Sequence, residues 1–100
     1  MNIQKLMKQA QQMQAGMASA QEELAKKTVE ASVAGGKVTV VASCAGDVQS
    51  IVIDKSLVDP EDVEFLQDIV LKGVQEAITK GREVSAAEMQ KLTGGMGLPF

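Results

Sequence analysis

One hundred residues with 45% hydrophobic content make one small domain with a modest core. The chain has no His, Trp or Tyr, and its single Cys excludes an intrachain disulfide, which suits a reducing cytosol. Without His there is no base to activate Cys44, and two phenylalanines make a poor stacking platform for single-stranded nucleic acid.

The chain opens on Ile3, Leu6, Ala10, Met13, Met17, Ala20 and Leu24, a 3-4-3-4 apolar stripe with Gln, Lys, Glu and Ser between its members. That spacing predicts one amphipathic helix over residues 1–26. At 1.5 Å per residue the striped part is about 35 Å long. A compact chain of this size has a radius of gyration of only ~13 Å. The stripe is therefore longer than the body it belongs to, and part of it must pack on a partner. Met and Ala outnumber Leu and Ile in the seam, which favours close, adaptable packing. Lys5 and Lys8 stand among glutamines with no apolar run beside them, so no signal peptide is expected, and no stretch approaches the ~20 residues of a membrane span.

Residues 28–53 read as three strands. Val29, Ala31 and Val33 alternate with Thr28, Glu30 and Ser32, and Ala34-Gly35-Gly36-Lys37 is a hairpin turn. Val38 to Ser43, a turn at Cys44-Ala45-Gly46-Asp47 and Val48 to Ile53 complete an antiparallel sheet. The second and third strands read as apolar on both faces, because Val38 and Val40 oppose Val41, and Val52 opposes Ile51 and Ile53. A sheet of that kind needs cover on both sides, one by its own helix and one by another helix or a second subunit.

Asp59-Pro60-Glu61-Asp62 predicts a helix start, with Asp59 as the N-cap, Pro60 at the first helical position and acids facing the helix dipole. Val63, Leu66, Val70, Gly73 or Val74, and Ala77 continue its stripe, with Ile69 and Ile78 broadening it, giving a helix over 60–92. Gly73 and Gly81 each weaken that helix by about 1 kcal/mol relative to Ala. A capping box at Ser85-Ala86-Ala87-Glu88 offers a restart after Gly81, but one continuous helix is preferred. Residues 93–100 hold three glycines and a proline and read as a flexible tail. Its Gly94-Gly95-Met96-Gly97 run lacks the Lys-Ser/Thr of a phosphate loop.

The overall charge of −3 hides a polarity. Residues 1–27 carry four lysines against two glutamates, a net of +2. Residues 54–68 carry six acids against Lys55, a net of −5. Residues 69–100 carry four bases against three acids, a net of +1. Basic ends and an acidic middle permit a polyanion to meet the ends. Asp59, Glu61, Asp62 and Glu64 read as helix-start acids rather than metal ligands. Lys5 and Lys8 sit one turn apart, and spacing alone allows either a solvated face or a phosphate contact.

Several segments together carry a family resemblance. They are Lys5-Leu6-Met7-Lys8-Gln9-Ala10-Gln11-Gln12-Met13-Gln14, Gly35-Gly36-Lys37-Val38-Thr39-Val40, Val52-Ile53-Asp54, Pro60-Glu61-Asp62, Leu66-Gln67-Asp68-Ile69-Val70 and Met89-Gln90-Lys91-Leu92-Thr93-Gly94-Gly95-Met96. In this order they span nearly the whole chain, which resembles the YbaB/EbfC family of bacterial nucleoid-associated proteins. The resemblance implies an α+β protomer: a long N-terminal helix, a three-stranded antiparallel sheet and a long C-terminal helix. It also implies a homodimer with projecting helical arms, residence in the cytoplasm at the nucleoid, a role in nucleoid organisation or gene regulation, and sequence-tolerant binding of double-stranded DNA. Two departures stand out. Val41 to Asp47 looks about two residues long for the second hairpin, and Gly73 and Gly81 replace helix formers, which questions the rigidity of the C-terminal arm.

Under that reading, Lys5, Lys8, Lys80, Arg82 and Lys91 are the expected DNA contacts, made mainly to backbone phosphates. Lys37 and Lys55 are left as surface residues. Met13, Met17, Val41, Ile51 and Ile53 are the expected dimer interface. No catalytic residue, cofactor, metal or membrane contact is expected. No helix-turn-helix or zinc finger is visible, and Arg82 is the only arginine, so strong base readout is not expected. The rival reading is a protein-interaction module whose Met-rich seam docks a partner helix of the replication or recombination machinery, without DNA.

Overall fold

The computed structural model describes residues 2–95. The elements run α1 (Ile3–Lys26), β1 (Thr28–Val33), β2 (Val38–Ser43), β3 (Val48–Ile53), one 3-10 turn (Lys55–Leu57) and α2 (Val63–Gly95). The strands form an antiparallel sheet in the order β1-β2-β3.

Asn2 caps α1, its side chain accepting from the Lys5 backbone N–H at 3.2 Å. The first hairpin turns through Ala34, Gly35 and Gly36, all at positive φ, and two of these positions suit glycine. The second hairpin contains the extra length seen in the sequence. Val41 pairs with Ser50 but Ala42 pairs with Val48, so the ladder slips there. Ser43 closes the turn, its N–H donating to the Asp47 carbonyl at 2.8 Å and its Oγ accepting from the Asp47 N–H at 3.2 Å.

The start of α2 lies three residues later than the sequence predicts. Asp59 accepts from the Glu61 N–H at 2.9 Å within a turn, and Asp62 is the residue that caps the helix, accepting from the Phe65 N–H at 3.3 Å. Pro60 therefore sits in the turn and not at the first helical position. At the other end α2 runs without a break through Gly81 and past Leu92 to Gly95. The expected flexible tail begins too early at residue 93, since residues 93–95 are helical, and residues 96–100 of that tail lie outside the described residues.

The two glycines explain how α2 meets the sheet. A Cβ at Gly73 would lie 3.1 Å from Val40 Cγ2 and 3.3 Å from Val33 Cγ2. A Cβ at Gly81 would lie 3.1 Å from the Ser43 carbonyl oxygen and 3.3 Å from Cys44 Cα. With Ala77, fully buried between them, they form a small-residue row at i, i+4 and i+8 along which the helix presses onto β1 and β2. The core is Ala31, Val33, Val38, Val40, Ala42 and Ala77, edged by Val29, Ile53, Leu57, Ile69 and Val74.

One sheet face differs from expectation. Register places Val29, Ala31, Val33, Val38, Val40, Ala42, Ile51 and Ile53 on the face that α2 covers. The other face carries Thr28, Glu30, Ser32, Thr39 and Ser50, with only Val41 and Val52 apolar. Ser32 Oγ and Thr39 Oγ1 lie 3.4 Å apart on it. The sheet is thus apolar on one face and largely polar on the other, because β1 contributes Thr, Glu and Ser to the second. Val41 and Ile51, grouped together in the sequence reading of a dimer interface, point to opposite faces. Meanwhile α2 covers mainly β1 and β2. Val48 and Ile51 in β3 stay 40% and 42% exposed beyond its edge.

Candidate nucleic-acid interface

The chain is an elongated body of 70 × 22 × 18 Å with a radius of gyration of 19.4 Å, well above the compact value. Two contacts set the direction of α1 against α2. Lys27 Nζ donates to Glu88 Oε1 at 2.8 Å, and a Cβ at Gly16 would touch Leu92 Cδ1 at 3.4 Å. A later residue of α1 meets an earlier residue of α2, so the helices run antiparallel. Leu24 is the one buried residue of α1, and Met13, Gly16 and Ala20 are half-buried at helical spacing from it. The sequence stripe missed Gly16, although its spacing of four and eight from Ala20 and Leu24 marks that face.

With Gly16 level with Leu92, the first turns of α1 pass the end of α2. Residues 3–12 are all exposed, and the thirteen residues from Ile3 to Ala15 span about 20 Å. Ile3, Leu6 and Met7 are 67%, 49% and 58% exposed on this arm. Lys5 and Lys8 are exposed there too, on the side of the helix away from the apolar stripe.

The five expected DNA contacts do not form one patch. Lys5 and Lys8 share the projecting tip. Lys91 is exposed on the distal part of α2, near the level where α1 crosses Leu92. Lys80 and Arg82 stand at the level of the sheet. Lys80 Nζ donates to the Glu30 carbonyl at 2.9 Å, covering part of the outer edge of β1. Arg82 borders a groove of about 680 Å³ with Leu24, Cys44, Gly46, Ile78 and Met89. Cys44 in its lining is a buried free thiol whose backbone N–H donates to the Lys27 carbonyl at 2.9 Å.

Of the expected dimer contacts, Met13 and Val41 are half-buried, Met17 and Ile51 are 39% and 42% exposed, and Ile53 packs on the core. Among the described residues no three His, Cys, Asp or Glu side chains are poised to hold a metal, and no helix is long and apolar enough to cross a membrane.

Electrostatics tie the arm to the body. The Lys27 ammonium holds the Glu88 carboxyl below its usual range, and Glu88 lifts Lys27 in return. At the opposite end, the Ser56 backbone N–H donates to Asp54 Oδ1 at 2.8 Å and holds that carboxyl down.

The profile of the YbaB/EbfC DNA-binding family matches residues 1–96. The chain belongs to this family. A nucleoid-associated protein of Akkermansia muciniphila is 58% identical over 99 residues, covering 99% of this chain and 95% of its own. Another, from Acetivibrio thermocellus, is 54% identical over 96 residues, covering 96% of this chain and 85% of its own. A crystal structure of an uncharacterized Helicobacter pylori protein shares the fold with a TM-score of 0.73, at 21% identity over 96% of this chain and 97% of that one. The family is a DNA-binding one, and the α+β fold of this chain, an N-terminal helix, a three-stranded antiparallel sheet and a C-terminal helix in that order, is the fold expected from the sequence.

Proposed function

We propose that this chain is a nucleoid-associated homodimer that binds double-stranded DNA through backbone phosphates, in the cytoplasm, with a role in nucleoid organisation or gene regulation. The observation that carries this is the projecting tip of α1, where Lys5 and Lys8 stand exposed on a helix that leaves its own body, in a chain of the YbaB/EbfC DNA-binding family. Lysines on a rigid rod meet phosphates as point charges and read no bases. Lys91 adds a third charge on the same half of the molecule. Lys80 and Arg82 are further from the tip, on different sides of α2, and would add separate contacts at the level of the sheet. Two copies present two such rods and double the number of phosphates neutralised. The half-exposed Val48 and Ile51 of β3 and the uncovered part of the α1 stripe are the apolar surface two copies would share.

A gel shift on plain duplex DNA tests the reading. Changing Lys5 and Lys8 together to Glu is expected to remove binding to all sequences alike. The same change at Lys37 and Lys55 is expected to do little. If the tip variant binds as well as the parent, or the parent binds nothing even at low salt, the reading fails and the helix-docking module takes its place.

A further inference from the structure

The groove of about 680 Å³ beside Arg82 lies where three elements meet: the end of α1, the middle of α2 and the turn between β2 and β3. Small-molecule sites run from roughly 300 to 1,000 Å³. Much of its wall is apolar, since Leu24 and Cys44 are buried and Ile78 and Met89 are half-buried. Gly46 leaves the turn side open, because a Cβ there would have nothing within 4 Å. Arg82 is the only charged residue in the lining. Its neighbours three and four positions away on α2 are Ile78, Thr79, Ser85 and Ala86, and none of them is acidic. Glu88, further along the helix, is already held by Lys27 at 2.8 Å. Arg82 therefore makes no ion pair or hydrogen bond among the described residues, whereas Lys80 on the other side of α2 is engaged by the Glu30 carbonyl.

We propose that this groove binds a medium-chain aliphatic monocarboxylate, with its carboxylate on the Arg82 guanidinium and its chain between α1 and α2. A guanidinium with no carboxylate of its own, at the rim of an apolar groove, suits a ligand with one anionic group and an apolar body. A single cation answers a single carboxylate and leaves the further charges of a diphosphate or triphosphate unmatched. Ser85, one turn on from Arg82 and also in the lining, adds a hydroxyl that can donate to the same head group. Arg82 and Met89 are seven residues apart, about 10 Å along the helix, which sets the length of chain the groove can cover. Leu24 and Ile78 supply fixed apolar wall, and the Met89 thioether adapts to the chain. The inference goes beyond the DNA reading, and its test uses no DNA.

Titration of octanoate into the full chain, followed by backbone amide NMR, reads it directly. Saturable shifts are expected at Leu24, Gly46, Arg82, Ser85 and Ala86, with little change at Lys5, Lys8, Val58 and Val63. Octanol, which has the same chain and no charge, is expected to bind roughly tenfold more weakly, because the charged hydrogen bond is lost. Arg82→Gln is expected to weaken octanoate by a similar factor and to leave octanol unchanged. Ala86→Phe fills the groove from an exposed position on α2 and is expected to remove both. Both substitutions are at exposed helical sites, so the free variants are expected to keep the parent's amide dispersion. The comparison of octanoate with octanol on the parent stands without either variant. A parent that shows no saturable shift with octanoate overturns the proposal, as does octanol binding as tightly as octanoate. Shifts centred on the α1 tip overturn it too, as does an Arg82→Gln variant that binds octanoate like the parent. None of these results bears on whether the parent shifts duplex DNA.

Discussion

Gly73 and Gly81 show why a residue's propensity is a weak guide to its role. Read along the chain, each costs the helix about 1 kcal/mol relative to Ala. Read in the fold, each lets α2 touch the sheet. At Gly81 the obstacle is backbone, the Ser43 carbonyl oxygen and Cys44 Cα, which has little room to yield. Gly81→Ala should therefore destabilise the protein by about 1–2 kcal/mol in urea unfolding, with the overpacking cost exceeding the helix gain. Gly16 is the contrast, because its neighbour is the end of the Leu92 side chain at 3.4 Å. Gly16→Ala should raise stability by roughly 0.5 kcal/mol in the same assay. If Gly81→Ala is as stabilising as Gly16→Ala, the close helix–sheet contact is wrong. The helix cap was similarly half legible. Two aspartates three residues apart, Asp59 and Asp62, both have the chemistry of a cap, and only the hydrogen bonds show that Asp59 closes a turn while Asp62 starts the helix. Asp62→Ala should cost about 1 kcal/mol, read as a lower urea midpoint with an unchanged slope.

At the scale of elements, alternation in β1 and the break at Gly35-Gly36 made the strands readable, and heptad spacing made α1 readable. Which sheet face α2 would cover was not readable, because β2 and β3 carry valine and isoleucine at neighbouring positions. Helix width decides how much is covered. A helix about 10 Å wide spans roughly two strands set ~4.8 Å apart, so β3 is left at the margin. That is why Ile51 shares a face with the buried Val40 yet remains 42% exposed. The clasp between α1 and α2 was hidden as well, since Lys27 and Glu88 are far apart in sequence. Its pH behaviour follows from the shifts. Glu88 is held below its ordinary value, so its contribution is present above the unfolded glutamate value and fades as pH falls through the folded one. Lys27 is raised, so its contribution is present below the ordinary lysine value and fades as pH rises through the folded one. Hydrogen exchange in the last turns of α1 should be slowest between these limits. Glu88→Gln should remove the acid-side change, and an unaltered acid-side change in that variant would show that the pair does not hold the arm.

For the whole molecule, shape and charge together make the argument. A protomer 70 Å long with a bare basic tip buries little of its own apolar surface at the edges, and Val48, Ile51 and Met17 stay open. If two copies close over them, light scattering after size exclusion should give about twice 10.6 kDa at micromolar concentration. Ile51→Asp should then shift the protein to monomer or unfold it, at a cost of several kcal/mol, since burying an unpaired charge is expensive. A monomeric parent, or an Ile51→Asp variant that dimerises like the parent, contradicts the shared β3 surface. The arms set the DNA prediction. Non-specific complexes of this kind bind at ~10⁻⁴–10⁻⁶ M at physiological salt and weaken steeply as salt rises. The most direct test of phosphate binding by the arms is the slope of log affinity against log salt, on two unrelated duplexes, for the parent and for K5E/K8E. One steep slope shared by both duplexes is expected, with a variant whose binding is lost or whose slope is shallower by roughly one unit per lost contact. A shallow parent slope, or a slope unchanged in the variant, would contradict phosphate binding by the arms.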